Sequence, residues 1–288
     1  MKILQDYNLS VDDKKLKTNI DKIKQESEKL QNTEVYNRIL NIIDLTTLTE
    51  TDNETKIQDM CKKVNDFNSK FSHISNVAAI CVYPSMVPYV KKHLKAEKIN
   101  IASVGGGFPA SQTFTLIKID ECKMAVDAGA NEVDIVIPIG EFLAGNDNLV
   151  FEETKKIKEG IGKAHLKVIL ETGDLNADQI RKASLLAMEA GADFIKTSTG
   201  KVAISATHEA MFIMSEAIKD YYQKTGRKVG IKPAGGIREV EDALVYYSIV
   251  EKVLGEDWLN NELFRIGASS LANKVIQAIE KDESIKYF

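Results

Sequence analysis

Beginning at Ile42, short apolar runs alternate with longer segments of helical period, and the alternation repeats through eight units. The runs are IIDLTTL at 42–48, VAAICV at 77–82, IASV at 101–104, EVDIVIP at 132–138, LKVILE at 166–171, DFIKT at 193–197, KVGIKPA at 228–234 and FRIG at 264–267. Runs of this length read as strands. Between them lie stripes at i, i+3, i+4, i+7 spacing, such as Ile57, Met60, Cys61, Val64 and Phe67, then Val150, Thr154, Ile157 and Ile161, then Val240, Ala243, Leu244, Tyr247 and Val250, and these read as amphipathic helices. The segments DAGANEVDIV and EAGADFIK repeat one helix-to-strand joint, with Gly129 and Gly191 as helix C-caps. Eight βα units within about 245 residues predict an α/β fold, a (β/α)8 TIM barrel, in preference to an open doubly wound sheet. No Pro/Gly/Ser linker divides the chain, so residues 42–288 form one barrel domain. Residues 1–41, charged and carrying apolar residues only at intervals (Leu16, Ile20, Ile23, Leu30), form an N-terminal helical extension.

A formal net charge of −4 argues against a general nucleic-acid binder, which needs a basic surface to displace counterions from phosphates. The N-terminal segment MKILQDYNLSVDDKK has no apolar signal core, and no later run approaches the roughly 20 apolar residues of a membrane helix. A cytoplasmic location without membrane partners is therefore expected. Cys61, Cys81 and Cys122 are odd in number, dispersed and without a CxxC pair, which offers neither a disulfide framework nor a zinc site. Cys81 reads as a buried core cysteine. His73, His93, His165 and His208 are equally scattered and read as surface or packing residues.

In a barrel of this kind the C-terminal ends of the strands face the active site. Asp44, Asp134, Lys167, Glu171, Lys196 and Lys232 all interrupt apolar strands. Burying an unpaired ion costs several kcal/mol, so three lysines and three carboxylates retained on such strands point to chemistry rather than to packing. Lys196 and Lys232 fall near the ends of the sixth and seventh strands, where their ammonium groups approach each other. Repulsion and desolvation then favour the neutral amine in one of them. Lowering a lysine from about 10.4 to about 7.5 takes roughly 4 kcal/mol at about 1.36 kcal/mol per unit. A neutral lysine attacks carbonyls, and the resulting iminium is an electron sink for carbon–carbon cleavage without a metal.

Three loops suit a phosphate. Thr197-Ser198-Thr199-Gly200-Lys201 follows the sixth strand, Ala234-Gly235-Gly236 the seventh, and Gly267-Ala268-Ser269-Ser270 the eighth. Backbone N–H groups at such turns and helix starts bind anions, and the loops after strands seven and eight are the common phosphate site of this fold. The first of these is not a Walker A loop, because its leading glycine is missing and Val202 stands where Ser or Thr should be. Gly105-Gly106-Gly107-Phe108-Pro109-Ala110 formally fits a dinucleotide fingerprint, yet it follows the third strand and Pro109 interrupts the turn. It reads as a flexible rim loop.

Taken together, DFIKTSTGK, KPAGGIR and NEVDIVI resemble the deoxyribose-phosphate aldolase family, as do IIDLTTL, AAICVYP, LKVILETG and FRIGASSL, over residues 42–271. That resemblance implies a class I aldolase that reversibly cleaves 2-deoxy-D-ribose 5-phosphate, a small phosphorylated sugar, into acetaldehyde and D-glyceraldehyde 3-phosphate. No metal and no organic cofactor is implied. By motif, Lys196 matches the Schiff-base lysine, Lys232 the lysine that perturbs it, and Asp134 the proton-relay carboxylate. Asp44, Thr46 and Lys167 match positions that bind or orient substrate. Gly200, Lys201, Gly235, Gly236, Ser269 and Ser270 match the phosphate pocket, to which Thr199 of the same turn is added. A homodimer is compatible with such barrels, although the sequence marks no interface.

The chain departs from the family pattern at Gly107-Phe108-Pro109-Ala110-Ser111, where an Asn-Phe-Pro type loop is expected, and at its end, where Tyr287 is penultimate and Phe288 last instead of a terminal tyrosine. Tyr287 either assists protonation from a flexible tail or is a packed chain end. The functional alternatives are another Schiff-base barrel aldolase, such as a transaldolase or bisphosphate aldolase, and a catalytically weak aldolase-like barrel acting as a binding or scaffold protein.

Overall fold

In a computed structural model that describes residues 2–288, the eight apolar runs form eight parallel strands. These are β1 (Ile43–Thr46), β2 (Ala79–Val82), β3 (Asn100–Gly105), β4 (Glu132–Val136), β5 (His165–Ile169), β6 (Phe194–Lys196), β7 (Gly230–Lys232) and β8 (Ile266–Ala268). Sheet order runs β7-β6-β5-β4-β3-β2-β1-β8, and bridges Ile231↔Phe264 and Ala234↔Gly267 bring the two ends together. The result is the expected (β/α)8 barrel. The ladders are shorter than the apolar runs, most plainly at β7, because Pro233 has no N–H to donate.

The helices interleave as the stripes predict. α1 (Asp13–Ser27) and α2 (Thr33–Asn41) precede the barrel. α3 (Glu54–Lys70), α4 (Val87–His93), α5 (Thr115–Asp127), α6 (Ile139–Leu143), α7 (Asp147–Ile161), α8 (Ala177–Glu189), α9 (His208–Thr225), α10 (Val240–Leu254) and α11 (Leu271–Glu280) alternate with the strands. Their starts carry local signals. Asn53 accepts from the Lys56 N–H and Thr207 from the Ala210 N–H, and Asn176 with Gln179 forms a reciprocal capping box. Gly129 and Gly191 take positive φ, 118° and 104°, where α5 and α8 end. No helix among the described residues is long and apolar enough to cross a membrane.

The first two helices are stitched to the outside of the barrel. α1 lies against α9 and α10, and α2 against α11. Leu16, Ile20 and Ile23 of α1 and Ile39 and Leu40 of α2 are buried in the same apolar core as the barrel helices. Ile20 is 1% exposed, so Ile20→Ala should cost about 2–4 kcal/mol, the usual loss for a large-to-small change in a core. Urea unfolding would measure it, and a loss under about 1 kcal/mol would mean the helix is only loosely docked.

The glycine-rich rim loop after β3 is tied down on several sides. The Gly107 N–H donates to Glu121 at 2.8 Å, and the Ser111 N–H to the Gly107 carbonyl at 2.8 Å. The Ser111 hydroxyl donates to the Val136 carbonyl at 2.9 Å. Lys118 of α5, 2% exposed, donates to the Ser111 oxygen at 2.8 Å and to Glu153 of α7 at 2.6 Å. The loop that departs from the family pattern is thus fastened by a buried ion pair, whose lysine and glutamate lie 35 residues apart in the chain.

Candidate active site

Parallel pairing sets the charged strand residues side by side. Asp134 is in register with Lys167 across β4 and β5, and Lys196 with Lys232 across β6 and β7. On β4, Glu132 lies two residues before Asp134 and shares its face of the sheet. Arg265, just before β8, reaches the same cluster. All seven groups are buried: Asp44, Glu132, Asp134, Lys167 and Lys232 at 0% exposure, Arg265 at 1% and Lys196 at 3%.

Their bonds form one continuous network. Asp134 Oδ2 accepts from Lys196 Nζ and from Lys232 Nζ, each at 2.8 Å. Lys232 also donates to Asp44 Oδ2 at 2.5 Å. Arg265 spans two carboxylates, donating to Asp44 Oδ1 at 2.7 Å and to Glu132 Oε1 at 2.9 Å, while Lys167 donates to the other oxygen of Glu132. Lys167 Nζ stands 3.5 Å from Asp134 Oδ1 and 3.6 Å from Asp44 Oδ2. Asp134 Oδ1 itself accepts no hydrogen bond among the described residues.

Four basic groups therefore face three carboxylates in a site almost wholly buried. Burial of a net charge is costly, so the cluster balances when one base is neutral. The electrostatics select Lys196. Burial lowers its pKa, Asp134 opposes that and Lys232 reinforces it, and the outcome is a value below the ordinary lysine range. Burial also works against charge on Lys232, but Asp134 and Asp44 together outweigh it and hold this ammonium protonated, with a raised pKa. Asp134 is desolvated too, yet Lys196, Lys232 and Lys167 keep its carboxyl well below the usual range. The network thus contains an ionised carboxylate, a fixed cation and an amine that gives up its proton readily.

Above this floor opens a cavity of about 1310 Å³. Thr46, Lys196, Thr199, Gly200, Lys201, Gly235, Gly236, Ser269 and Ser270 line it, bringing together nine of the residues singled out from the sequence. Asp44, Asp134, Lys167 and Lys232 lie beneath, within the ion network. The turns after β6 and β7 are joined, since Thr197 Oγ1 accepts from the Ala234 N–H at 3.0 Å. Gly200 and Gly235, at φ 75° and 86°, pack backbone to backbone, and a Cβ on Gly235 would come within 3.0 Å of Gly200 Cα. Only glycine allows both the positive φ and this approach. The N–H groups of Gly200 and Gly236 make no hydrogen bond among the described residues, so they remain as donors at the cavity wall. Lys201 Nζ is held at the rim by the Leu48 carbonyl at 2.6 Å.

Several contributors have no assigned role in the sequence reading. Glu132 and Arg265 complete the floor, and Arg238 and Lys63 stand on the cavity wall. A period-two reading of EVDIV, which puts Glu132 and Asp134 on one face, was the available signal for the first of these. Arg238 ends the KPAGGIR segment. Cys81 is buried, and burial raises its thiol pKa. Tyr287 is a packed chain end: its ring sits 5.5 Å from Phe67 and 5.3 Å from Phe71, and its hydroxyl donates to the Lys63 carbonyl at 2.6 Å. Asn273 clamps the last two residues by accepting from both of their N–H groups at 2.8 Å.

Comparison with known proteins gives concordant likenesses. The family model described as "DeoC/LacD family aldolase" matches residues 38–272. The deoxyribose-phosphate aldolase of Homo sapiens is 43% identical over 254 residues, 84% of this chain and 80% of the human protein. That of Bos taurus is 44% identical over 241 residues, 80% of this chain and 76% of the bovine one. Among solved structures, "QR15, an Aldolase" superposes with a TM-score of 0.69 at 30% identity, covering 84% of this chain and 96% of that one.

Proposed function

The chain belongs to the DeoC/LacD family of aldolases, and from that premise we propose that it reversibly cleaves 2-deoxy-D-ribose 5-phosphate through a Schiff base on Lys196. The observation that carries this reading is the charge balance of the floor, three carboxylates against four bases with Lys196 the base of lowered pKa.

The open-chain sugar enters with its phosphate toward Gly200, Lys201, Gly235, Gly236, Ser269 and Ser270. There the open backbone donors and the ammonium supply charge-assisted hydrogen bonds to its oxygens. Its C1 aldehyde then meets Lys196. The neutral amine adds to the carbonyl carbon and, with the uptake of one proton, water leaves, giving an iminium. Asp134, held ionised by Lys232, accepts the proton of the C3 hydroxyl as the C2–C3 bond breaks. The bonding pair moves into the iminium as an enamine, and D-glyceraldehyde 3-phosphate departs. Return of the Asp134 proton to the enamine at C2, followed by hydrolysis of the iminium by water, releases acetaldehyde and one proton and restores the carboxylate and the neutral amine. Asp44, Glu132, Lys167 and Arg265 hold Asp134 and Lys232 in place from below. Thr46 and Thr199 contribute wall contacts to the sugar.

The family, together with the intact trio of Lys196, Lys232 and Asp134, speaks for an active aldolase over the scaffold alternative. A single clear phosphate pocket favours a monophosphate over a bisphosphate. To test the assignment, the chain is incubated with 2-deoxyribose 5-phosphate, reduced with borohydride and digested. Mass spectrometry should find the reduced adduct on Lys196, and an unmodified Lys196 alongside full turnover would defeat the proposal.

We assign residues 42–288 as the aldolase domain and residues 1–41 as an extension that props the barrel without entering the chemistry. Ile20→Ala should accordingly lower stability and leave KM unchanged, and an altered KM would contradict this division. The enzyme is further proposed to work as a homodimer in the cytoplasm. A monomer mass by light scattering would overturn the pairing, and cosedimentation with membranes the location.

A further inference from the structure

Glu171 has no place in the chemistry above, yet it occupies a costly position. It follows β5 with φ 52° and ψ 59°, the left-handed region that a non-glycine residue seldom adopts. Its side chain is also an ionisable group at 2% exposure. Such a conformation persists where surrounding contacts over-determine it, and here those contacts all lead to one place. Glu171 Oε1 accepts from the Thr199 N–H at 3.0 Å and Oε2 from the Thr199 hydroxyl at 2.6 Å. The same hydroxyl oxygen accepts from the Lys201 N–H at 3.0 Å. The Thr172 N–H donates to the Thr197 carbonyl at 3.0 Å. A Cβ on Gly173 would fall 2.1 Å from the Ile204 carbonyl oxygen, so the far side of the loop rests directly on the turn that follows Glu171.

One carboxylate thus fixes the Thr199 hydroxyl, and through it the Lys201 backbone, on either side of Gly200. We propose that Glu171 is a positioning residue for the phosphate. It touches no substrate, but it holds the Thr199–Lys201 turn in the shape that presents the Gly200 N–H and the Lys201 ammonium to a phosphoryl group. A negative charge beside a phosphate site would otherwise repel the ligand. Here the Thr199 N–H and hydroxyl absorb both carboxylate oxygens, leaving the cavity side of the turn to its donors.

The proposal rests on the phosphate pocket assigned above, and the experiment separates the two. Glu171→Gly deletes the carboxylate while supplying the residue best suited to the left-handed backbone, so the fold is spared. Glu171→Gln, which keeps the volume and one acceptor, is the second variant. Three measurements are made on the parent and on each variant: kcat/KM on 2-deoxyribose 5-phosphate, kcat/KM on unphosphorylated 2-deoxyribose, and the thermal shift with inorganic phosphate. Glu171→Gly should lower the phosphorylated-to-unphosphorylated ratio of kcat/KM by about 10-fold to 100-fold, mainly through KM, with Glu171→Gln intermediate. It should also erase the phosphate-induced shift. Equal losses on both sugars would mark a merely structural residue and overturn the proposal. An unchanged phosphate shift with an unchanged ratio would overturn it too, while leaving the pocket intact. A parent that shows neither phosphate shift nor preference for the phosphorylated sugar would refute the pocket itself, and the role of Glu171 with it.

Discussion

A Lys196→Met chain should lose at least about 10⁴-fold in kcat and still fold as well as the parent. The rate loss follows from removing the amine proposed to form the iminium, since losses of this order accompany removal of a nucleophile. The stability expectation follows from charge. Removing this one base leaves Lys167, Lys232 and Arg265 against Asp44, Glu132 and Asp134, a balanced cluster in which Asp134 keeps its bond from Lys232. The linkage sign agrees. The folded pKa of Lys196 lies below its ordinary value of 10.5, so the parent gains stability as pH rises from the folded value toward 10.5 and loses it again on the way down. The methionine variant lacks that slope. Denaturation curves at neutral pH and near pH 10 would reveal it, and residual turnover within about 10-fold of the parent would remove Lys196 from the chemistry.

Lys232→Leu should act in the opposite way on the remaining lysine. Three carboxylates then face Lys167, Arg265 and Lys196, and the cluster balances only when Lys196 is protonated. Two unit charges about 5 Å apart at an effective dielectric constant of about 20 repel by about 3 kcal/mol, or about two pKa units. Losing that repulsion, and leaving Asp134 to Lys196 alone, raises the Lys196 pKa. The nucleophile is the free amine, whose fraction grows as pH rises through its pKa, so the acidic limb of kcat/KM should move about two units upward. Near neutral pH this alone costs about 100-fold. Unlike the methionine change at 196, Lys232→Leu should also destabilise the fold, because Asp44 loses a 2.5 Å partner in a fully buried site. A pH profile superposing on that of the parent would exclude the proposed role of Lys232.

Much of this was written in the amino-acid order. Parallel strands enclosed by helices need apolar residues along their length, which makes charged interruptions such as Lys196 and Lys232 conspicuous. The chosen residues come from six different strands or their ends, so their convergence depends on the barrel being the right fold, and the eightfold alternation supplied that. Arg265 and Glu132 escaped for a physical reason. Both lie toward the starts of strands, where a charge usually means solvent, and only the closed ladder reveals that each points into the other. The Lys118–Glu153 pair was equally hidden, since nothing local to either helix announces a partner on the other. Glu171 stood out as a charge in an apolar run, but its left-handed backbone and its hold on Thr199 required coordinates.

Arg265 closes the ion network from the last strand to the first, bonding Asp44 of β1 and Glu132 of β4. Because β8 is the final strand in chain order, the ion pairs of Arg265 form only once the chain has reached residue 265. A fragment that stops short of residue 265 leaves Glu132 to Lys167, and Asp44 to Lys232 and Lys167, so buried charges from the first half of the barrel are matched by the segment made last.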